Sequence, residues 1–250
     1  ITLLPFTREQ LKKFVNGWSD ETKNLWAVIK NNEIIDVATN PLLAAIICSL
    51  HVNGVNIPTN EPGVYRRKIQ LLCGQYDQSK SVVRCSSSQD VLEKVARAAA
   101  FIMHRSHVRE IDKQELINSV TNYFEGFISP SAVELACKEI IYPCNIMKKV
   151  RGTSFVGFGH LRFQEFLASE ELVSSDKHDI VDYLRNEWWM GVLYLYSYSS
   201  NLESIIEKIN QRGYSIHDCM SNLLKMVDSQ PRSIRRGLKE IIYKYPIIRL

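Results

Sequence analysis

The sequence predicts a mainly α-helical protein: a helical bundle, then a winged helix with a short β-hairpin, then a C-terminal helical array. Apolar residues recur at helical spacing through most of the 250 residues. Three such segments between residues 91 and 141 precede one alternating stretch centred on Arg151-Gly152-Thr153, which favours a hairpin. Beyond Leu172 the spacing is helical again. The predicted domains are residues 1–80, 81–172 and 173–250.

The first domain is predicted from helix-start signals. Thr7 is a good N-cap for a first helix, and Ser19-Asp20 caps a second. Asn40-Pro41 starts another, because a proline in the first turn loses no hydrogen bond. Residues 41–50 are apolar on every side, which predicts a buried helix. Residues 57–63 are predicted as a loop by their prolines and glycine. The helix after this loop is expected to face inward with Val64, Ile69, Leu71, Leu72 and Tyr76.

The second domain is predicted to follow a serine-rich linker at residues 79–88. A long apolar helix lies between Val91 and Met103, Asp112 caps the next, and Ser129-Pro130 starts a third, whose apolar residues are Val133, Leu135, Ala136 and Ile140-Ile141. Three helices and then a hairpin is the element order of a winged helix-turn-helix.

The stretch from Cys144 to Leu172 contains the hairpin and a further helix that begins at Leu161. His160 therefore lies where a strand passes into a helix, with Gly157 and Gly159 beside it. From the residues alone, a histidine hydrogen-bonded to backbone is the simpler interpretation, since one histidine rarely marks a site.

Composition narrows the class of protein. A net charge of +4, with 45% hydrophobic and 23% charged residues, is typical of an ordinary globular chain and indicates neither a nucleic-acid nor a membrane partner. The longest apolar run, residues 41–50, is shorter than the roughly 20 residues that cross a bilayer. Six scattered cysteines without a C-x-x-C pair predict buried thiols, as for Cys48 and Cys137, and a cytoplasmic location. His104 and His107 lack further ligands at a known spacing, so no metal site is predicted.

The motifs of several enzyme classes are absent from the sequence. It contains no P-loop, no G-x-G-x-x-G and no G-x-S-x-G, and this segment is therefore predicted not to be an enzyme. A winged-helix DNA-binding regulator is one alternative. Its recognition helix, residues 131–140, carries two acids and one lysine, although the wing residues Lys148, Lys149 and Arg151 are basic. A structural helical scaffold is the other alternative, and the aromatic residues between 188 and 198 are expected to be core.

Three segments resemble, in the correct order, motifs of NACHT-type STAND NTPases, which are nucleotide-dependent switches. Residues 158–168, Phe-Gly-His-Leu-Arg-Phe-Gln-Glu-Phe-Leu-Ala, resemble the F-x-H-x-x-F-Q-E-[FY]-L-A signature that closes the family's winged-helix domain. Asn40-Pro41-Leu42-Leu43, with Ile57-Pro58 and Val64-Tyr65 downstream, resembles the family's N-P-L-L helix and the helix after it. Residues 4–18 resemble the segment that follows the nucleotide-binding core. Residues 173–250 resemble only the family's helical continuation.

The resemblance implies a mechanism and a set of site residues. ADP would hold the switch closed, and a trigger would permit exchange for ATP, opening and homo-oligomerisation. Pro41 matches the proline that packs on adenine, and His160 matches the histidine that contacts the β-phosphate of ADP; Leu42 and Arg162 are further candidates. An upstream nucleotide-binding domain of the same protein, before Ile1, is expected to supply the P-loop and Mg²⁺. The sequence resembles prokaryotic members that often act in anti-phage defence, which implies an unidentified trigger such as a phage protein.

Overall fold

The computed structural model describes residues 4–31, 34–74, 83–175 and 177–244. These residues form thirteen α-helices and one three-stranded antiparallel sheet, which confirms the predicted mainly α fold with a short hairpin. The chain divides into two compact units, residues 1–84 and 85–250. The boundary falls within the serine-rich stretch 79–88, and both ranges predicted as the second and third domains lie almost wholly in the second unit.

The first unit is built on five helices: α1 (Arg8–Trp18), α2 (Leu25–Asn31), α3 (Ile35–Ala38), α4 (Pro41–Val52) and α5 (Glu61–Leu72). Thr7 caps α1 as predicted, and Gln10 returns the bond by accepting from the Thr7 N–H at 2.9 Å. Helix α4 supplies fully buried residues such as Ile47 and Leu50. Its all-round apolar sequence therefore lies at the centre of this unit.

The segment between α4 and α5 differs from its prediction as a loop reaching residue 63. Helix α5 begins at Glu61, because the Asn60 side chain accepts from the Gly63 N–H at 2.8 Å and Pro62 is tolerated in a first turn. The proline and glycine thus lie inside the helix start. Tyr76, predicted to face inward, lies outside the described residues.

The second unit begins with the winged-helix elements: α6 (Gln89–Arg105), β1 (Glu110–Asp112), α7 (Lys113–Tyr123), α8 (Pro130–Ile141), β2 (Lys148–Lys149), β3 (Phe155–Gly157) and α9 (Leu161–Ser174). Strand β3 lies between β1 and β2, with Ile111 opposite Val156. Strand β1 was not predicted. Leu135, one of the apolar residues of α8, is 41% exposed, since Val133 and Ala136 occupy the buried face of this helix.

The remaining helices are α10 (Met190–Tyr196), α11 (Leu202–Gln211), α12 (Met220–Val227) and α13 (Arg232–Lys244), with short 3₁₀ turns at Ile180–Tyr183, Glu187–Trp189 and Ile216–Cys219. Helix α9 packs most extensively against α6 and then against α10. Trp189 is 2% exposed and lies against Phe101 and Tyr183, as expected for core. This packing fixes α9, and with it the position of the residue that precedes it, His160.

Candidate functional site

His160 is the N-cap residue of α9. Its backbone is extended, its carbonyl accepts from the Phe163 N–H at 3.0 Å, and its ring Nδ1 accepts from the Arg162 N–H at 3.1 Å. Histidine is an unusual cap, and here the ring nitrogen replaces the usual Ser, Asp or Asn oxygen. The simpler sequence interpretation, a histidine bonded to backbone, is thereby confirmed for one ring nitrogen.

The hydrogen bond at Nδ1 determines whether the other ring nitrogen of His160, Nε2, carries a proton. Desolvation of the ring lowers the pKa of His160, and although Glu165 opposes this, the charges of Arg162 and Arg109 lower the pKa further. The ring is therefore neutral near pH 7, and because Nδ1 accepts a hydrogen bond, the proton must be on Nε2. Within the described residues Nε2 makes no hydrogen bond, so an N–H donor is available for a ligand.

His160 borders a pocket of about 400 Å³ that lies entirely in the second unit. Its rim carries three cations, Arg109, Lys148 and Lys149, and one carboxylate, Glu110. Neither lysine lies within ion-pair distance of a carboxylate in the described parts of the chain. Three cations and an N–H donor against one carboxylate favour an anionic ligand.

Two glycines shape the approach to His160. A side chain at Gly157 would place its Cβ 2.6 Å from the Arg109 carbonyl oxygen, so only glycine lets β3 lie this close to β1. Gly159 has φ +72°, in the left-handed region that glycine adopts without strain. The Gly-Phe-Gly-His sequence therefore turns the chain from β3 into α9 with His160 on the pocket rim.

Arg162 has partners within its own unit. Its guanidinium lies 3.0 Å from the Glu165 carboxylate and 5.2 Å from the centre of the Tyr194 ring. These contacts join the first turn of α9 to α10. Arg162 does not line the pocket at His160. A contact between Arg162 and phosphate stays a prediction.

The other two candidates, Pro41 and Leu42, lie in the first unit. Pro41 is the first residue of α4, and the Asn40 side chain accepts from the Leu42 N–H at 2.9 Å. Both candidates are half-buried. The helix-start role predicted for Pro41 is confirmed, whereas its contact with adenine stays a prediction.

The two histidines considered as a metal pair are used in other ways. His104 is fully buried, stacks on Trp188, and its Nε2 lies 3.2 Å from the Trp188 carbonyl oxygen. The Nε2 of His107 lies 3.1 Å from the Asn186 amide nitrogen. No group of three potential metal ligands occurs within the described ranges.

In those same ranges, no helix combines the length and apolarity that crossing a membrane requires.

The helix that would read DNA offers little for a base or a phosphate. Its lysine, Lys138, lies 2.7 Å from the Glu134 carboxylate, and its second acid, Glu139, is buried. Exposed Leu135 adds an apolar side chain to the same face. The electrostatic surface of α8 is therefore a poor match for the major groove.

Sequence reasoning missed part of this pocket. The sequence does not predict the position of Arg109, because β1, which follows it, has only one buried residue, Ile111. It predicts Lys148 and Lys149 as basic residues of the wing. The alternation of Glu110-Ile111-Asp112 before a helix cap was the available signal for a strand.

No model of a known protein family matches this chain, and comparison with curated proteins finds no similar one.

Proposed function

We propose that residues 1–172 are the lid of a NACHT-type, nucleotide-dependent switch, in which His160 donates a hydrogen bond to a phosphate of bound ADP. The observation that carries the proposal is the His160 ring, which caps α9 through Nδ1 and lies on the rim of a cationic pocket. The order of the three resembling motifs supports the same function. The segment itself would perform no catalysis.

The proposed contact gives the nucleotide a means of controlling conformation. A ligand shifts an equilibrium only through a difference in its affinity for the two states. A hydrogen bond from His160 to phosphate would exist in the closed state alone. Such a bond to a charged group contributes about 1.5–3 kcal/mol, which would favour the closed state by roughly 10- to 150-fold.

The remaining parts of the switch follow from the resemblance. Pro41, with Leu42 beside it, would pack on the adenine, and an upstream nucleotide-binding domain of the same protein would bind the phosphates and Mg²⁺. Opening would follow binding of a trigger, such as a phage protein, and would lead to a homo-oligomer. A role in prokaryotic anti-phage defence or signalling belongs to the same proposal.

The test compares ADP retention in the protein that carries these residues together with a nucleotide-binding core. His160→Ala should release ADP faster and oligomerise without a trigger. His217→Ala is the matched control, because His217 is an exposed histidine near a helix start in the same unit. Unchanged ADP release and unchanged oligomerisation in His160→Ala would refute the proposal.

A further inference from the structure

Two cysteines far apart in sequence meet at the beginning of the second unit. The sulfur atoms of Cys85 and Cys144 lie 3.4 Å apart, although the two residues are separated by 59 positions in sequence. Cys85 is partly exposed, whereas Cys144 is 1% exposed. A disulfide has a bond length of about 2.05 Å, so the sulfurs need approach by only about 1.4 Å.

Glu139 of α8 holds both cysteine segments in place. Its carboxylate accepts from the backbone N–H groups of Ser86 and Ser87, at 2.6 and 3.0 Å, directly after Cys85. Its backbone carbonyl accepts from the Cys144 N–H at 3.0 Å. Glu139 is 7% exposed, so these hydrogen bonds replace the water that would otherwise solvate its side chain. Glu139 therefore positions the backbone beside both cysteines.

Three other cysteines provide a contrast. Burial raises the pKa of Cys48 and of Cys219 to about 11, and that of Cys137 to about 12. The thiolate is the reactive form, so these thiols are protected by both chemistry and access. Cys85 differs from them because an oxidant can reach it from solvent.

We propose that Cys85 and Cys144 form a reversible disulfide when the protein meets a peroxide. The Cys85 thiolate attacks one peroxide oxygen, the O–O bond breaks, and the leaving hydroxide takes a proton to become water. Cys144 then attacks the sulfur of the Cys85 sulfenic acid; an S–S bond forms, the S–O bond breaks, and a second water leaves with the Cys144 proton. The two thiols lose two electrons and the peroxide gains them.

The disulfide would connect the first residues of the second unit to the segment that enters β2. It would close a loop of the unfolded chain, so the oxidised protein should unfold at a higher temperature than the reduced protein. The proposal does not rest on the nucleotide switch, because neither thiol lines the His160 pocket.

The test treats the full chain with hydrogen peroxide and maps its peptides without reduction. The expected result is a linked Cys85–Cys144 peptide, two hydrogens lighter than its separate halves, that dithiothreitol converts back to the two thiols. Cys85→Ser should abolish this peptide, and Cys219→Ser should retain it. Separate sulfenic or sulfinic acids at Cys85 without a linked peptide, in a protein that keeps its helical circular dichroism, would overturn the proposal.

The positioning role of Glu139 has its own test. Glu139→Ala should slow disulfide formation several-fold, and Glu139→Gln, which keeps one acceptor oxygen, should restore part of the rate. Glu134→Ala is the matched control, since Glu134 is an exposed acid on the same helix that pairs with Lys138. Equal rates of disulfide formation in all three variants would show that Glu139 does not position the thiols. Circular dichroism checks that each variant is folded.

Discussion

Replacing His160 separates its two roles, helix cap and ligand donor. In His160→Asp the carboxylate can still accept from the Arg162 N–H, so α9 keeps its cap, but the donor at Nε2 is gone and a negative charge faces the pocket. In His160→Ala both the cap and the donor are lost. The two variants should therefore differ in stability and agree in weak anion binding.

The magnitudes follow from the contacts. Loss of an N-cap acceptor costs about 1 kcal/mol, so His160→Ala should unfold at lower urea concentration than the native protein. His160→Asp should equal or exceed the native stability, because a carboxylate at a helix N-terminus contributes about 0.3–1 kcal/mol through the helix dipole. Loss of the donor should weaken pyrophosphate binding roughly 10- to 150-fold in both variants, with further loss in His160→Asp from repulsion.

Urea unfolding and isothermal titration calorimetry with inorganic pyrophosphate, at low salt, measure the two quantities. Lys148→Gln is a control that removes a charge from the same pocket without touching α9. If His160→Asp binds pyrophosphate as tightly as the native protein, Nε2–H is not the ligand donor. If His160→Asp is destabilised as much as His160→Ala, the ring nitrogen does not stabilise α9 as a cap.

Three further predictions concern the fold. Burial lowers the pKa of His104 to about 4, below its ordinary 6.5. As the pH drops from 6.5 to 4, the unfolded chain therefore binds a proton that the folded chain does not, and the free energy of unfolding should fall by about 3 kcal/mol. Urea midpoints of the native protein and His104→Gln measure this, and an equal pH dependence in both would contradict it. Gly157→Ala should lower the free energy of unfolding by about 1–3 kcal/mol, since the added Cβ would lie 2.6 Å from a backbone oxygen. Gly213→Ala is the comparison: Gly213 has a positive φ like Gly159, but an added Cβ there meets nothing within 4 Å, so this variant tests backbone strain without a clash. Asp112→Ala should lower the thermal midpoint by uncapping α7, since the carboxylate accepts from the Gln114 and Glu115 N–H groups; an unchanged thermal midpoint would contradict that.

The parts of the fold that local chemistry specifies were predicted from the sequence. Thr7, Asn40 and Asp112 cap their helices because a short polar side chain can satisfy nearby N–H groups whatever surrounds it. Strand β1 was missed because its three residues gain their structure from pairing with β3, a contact distant in sequence. Phe155 is apolar, yet it is 43% exposed because Val156 takes the buried side of the strand.

The sequence predicts only part of the candidate site. The position of His160 between strand and helix followed from a change of periodicity and was confirmed. Its protonation could not be predicted, because it depends on the Arg162 N–H and on charges from Arg109 that the fold brings near. The cationic pocket could not be predicted either, since Arg109 and Lys148 meet only after β1 and β2 have paired with β3.

The most direct test of the account is nuclear magnetic resonance of the His160 ring nitrogens while ADP or pyrophosphate is added to the protein. The ring of the ligand-free protein should show a neutral histidine with its proton on Nε2. Added millimolar anion at low salt should shift the Nε2 signal and slow exchange of its proton, while His217 stays unchanged. A His160 ring that carries its proton on Nδ1, or a Nε2 signal that does not respond to either anion, would show that His160 is not a phosphate donor.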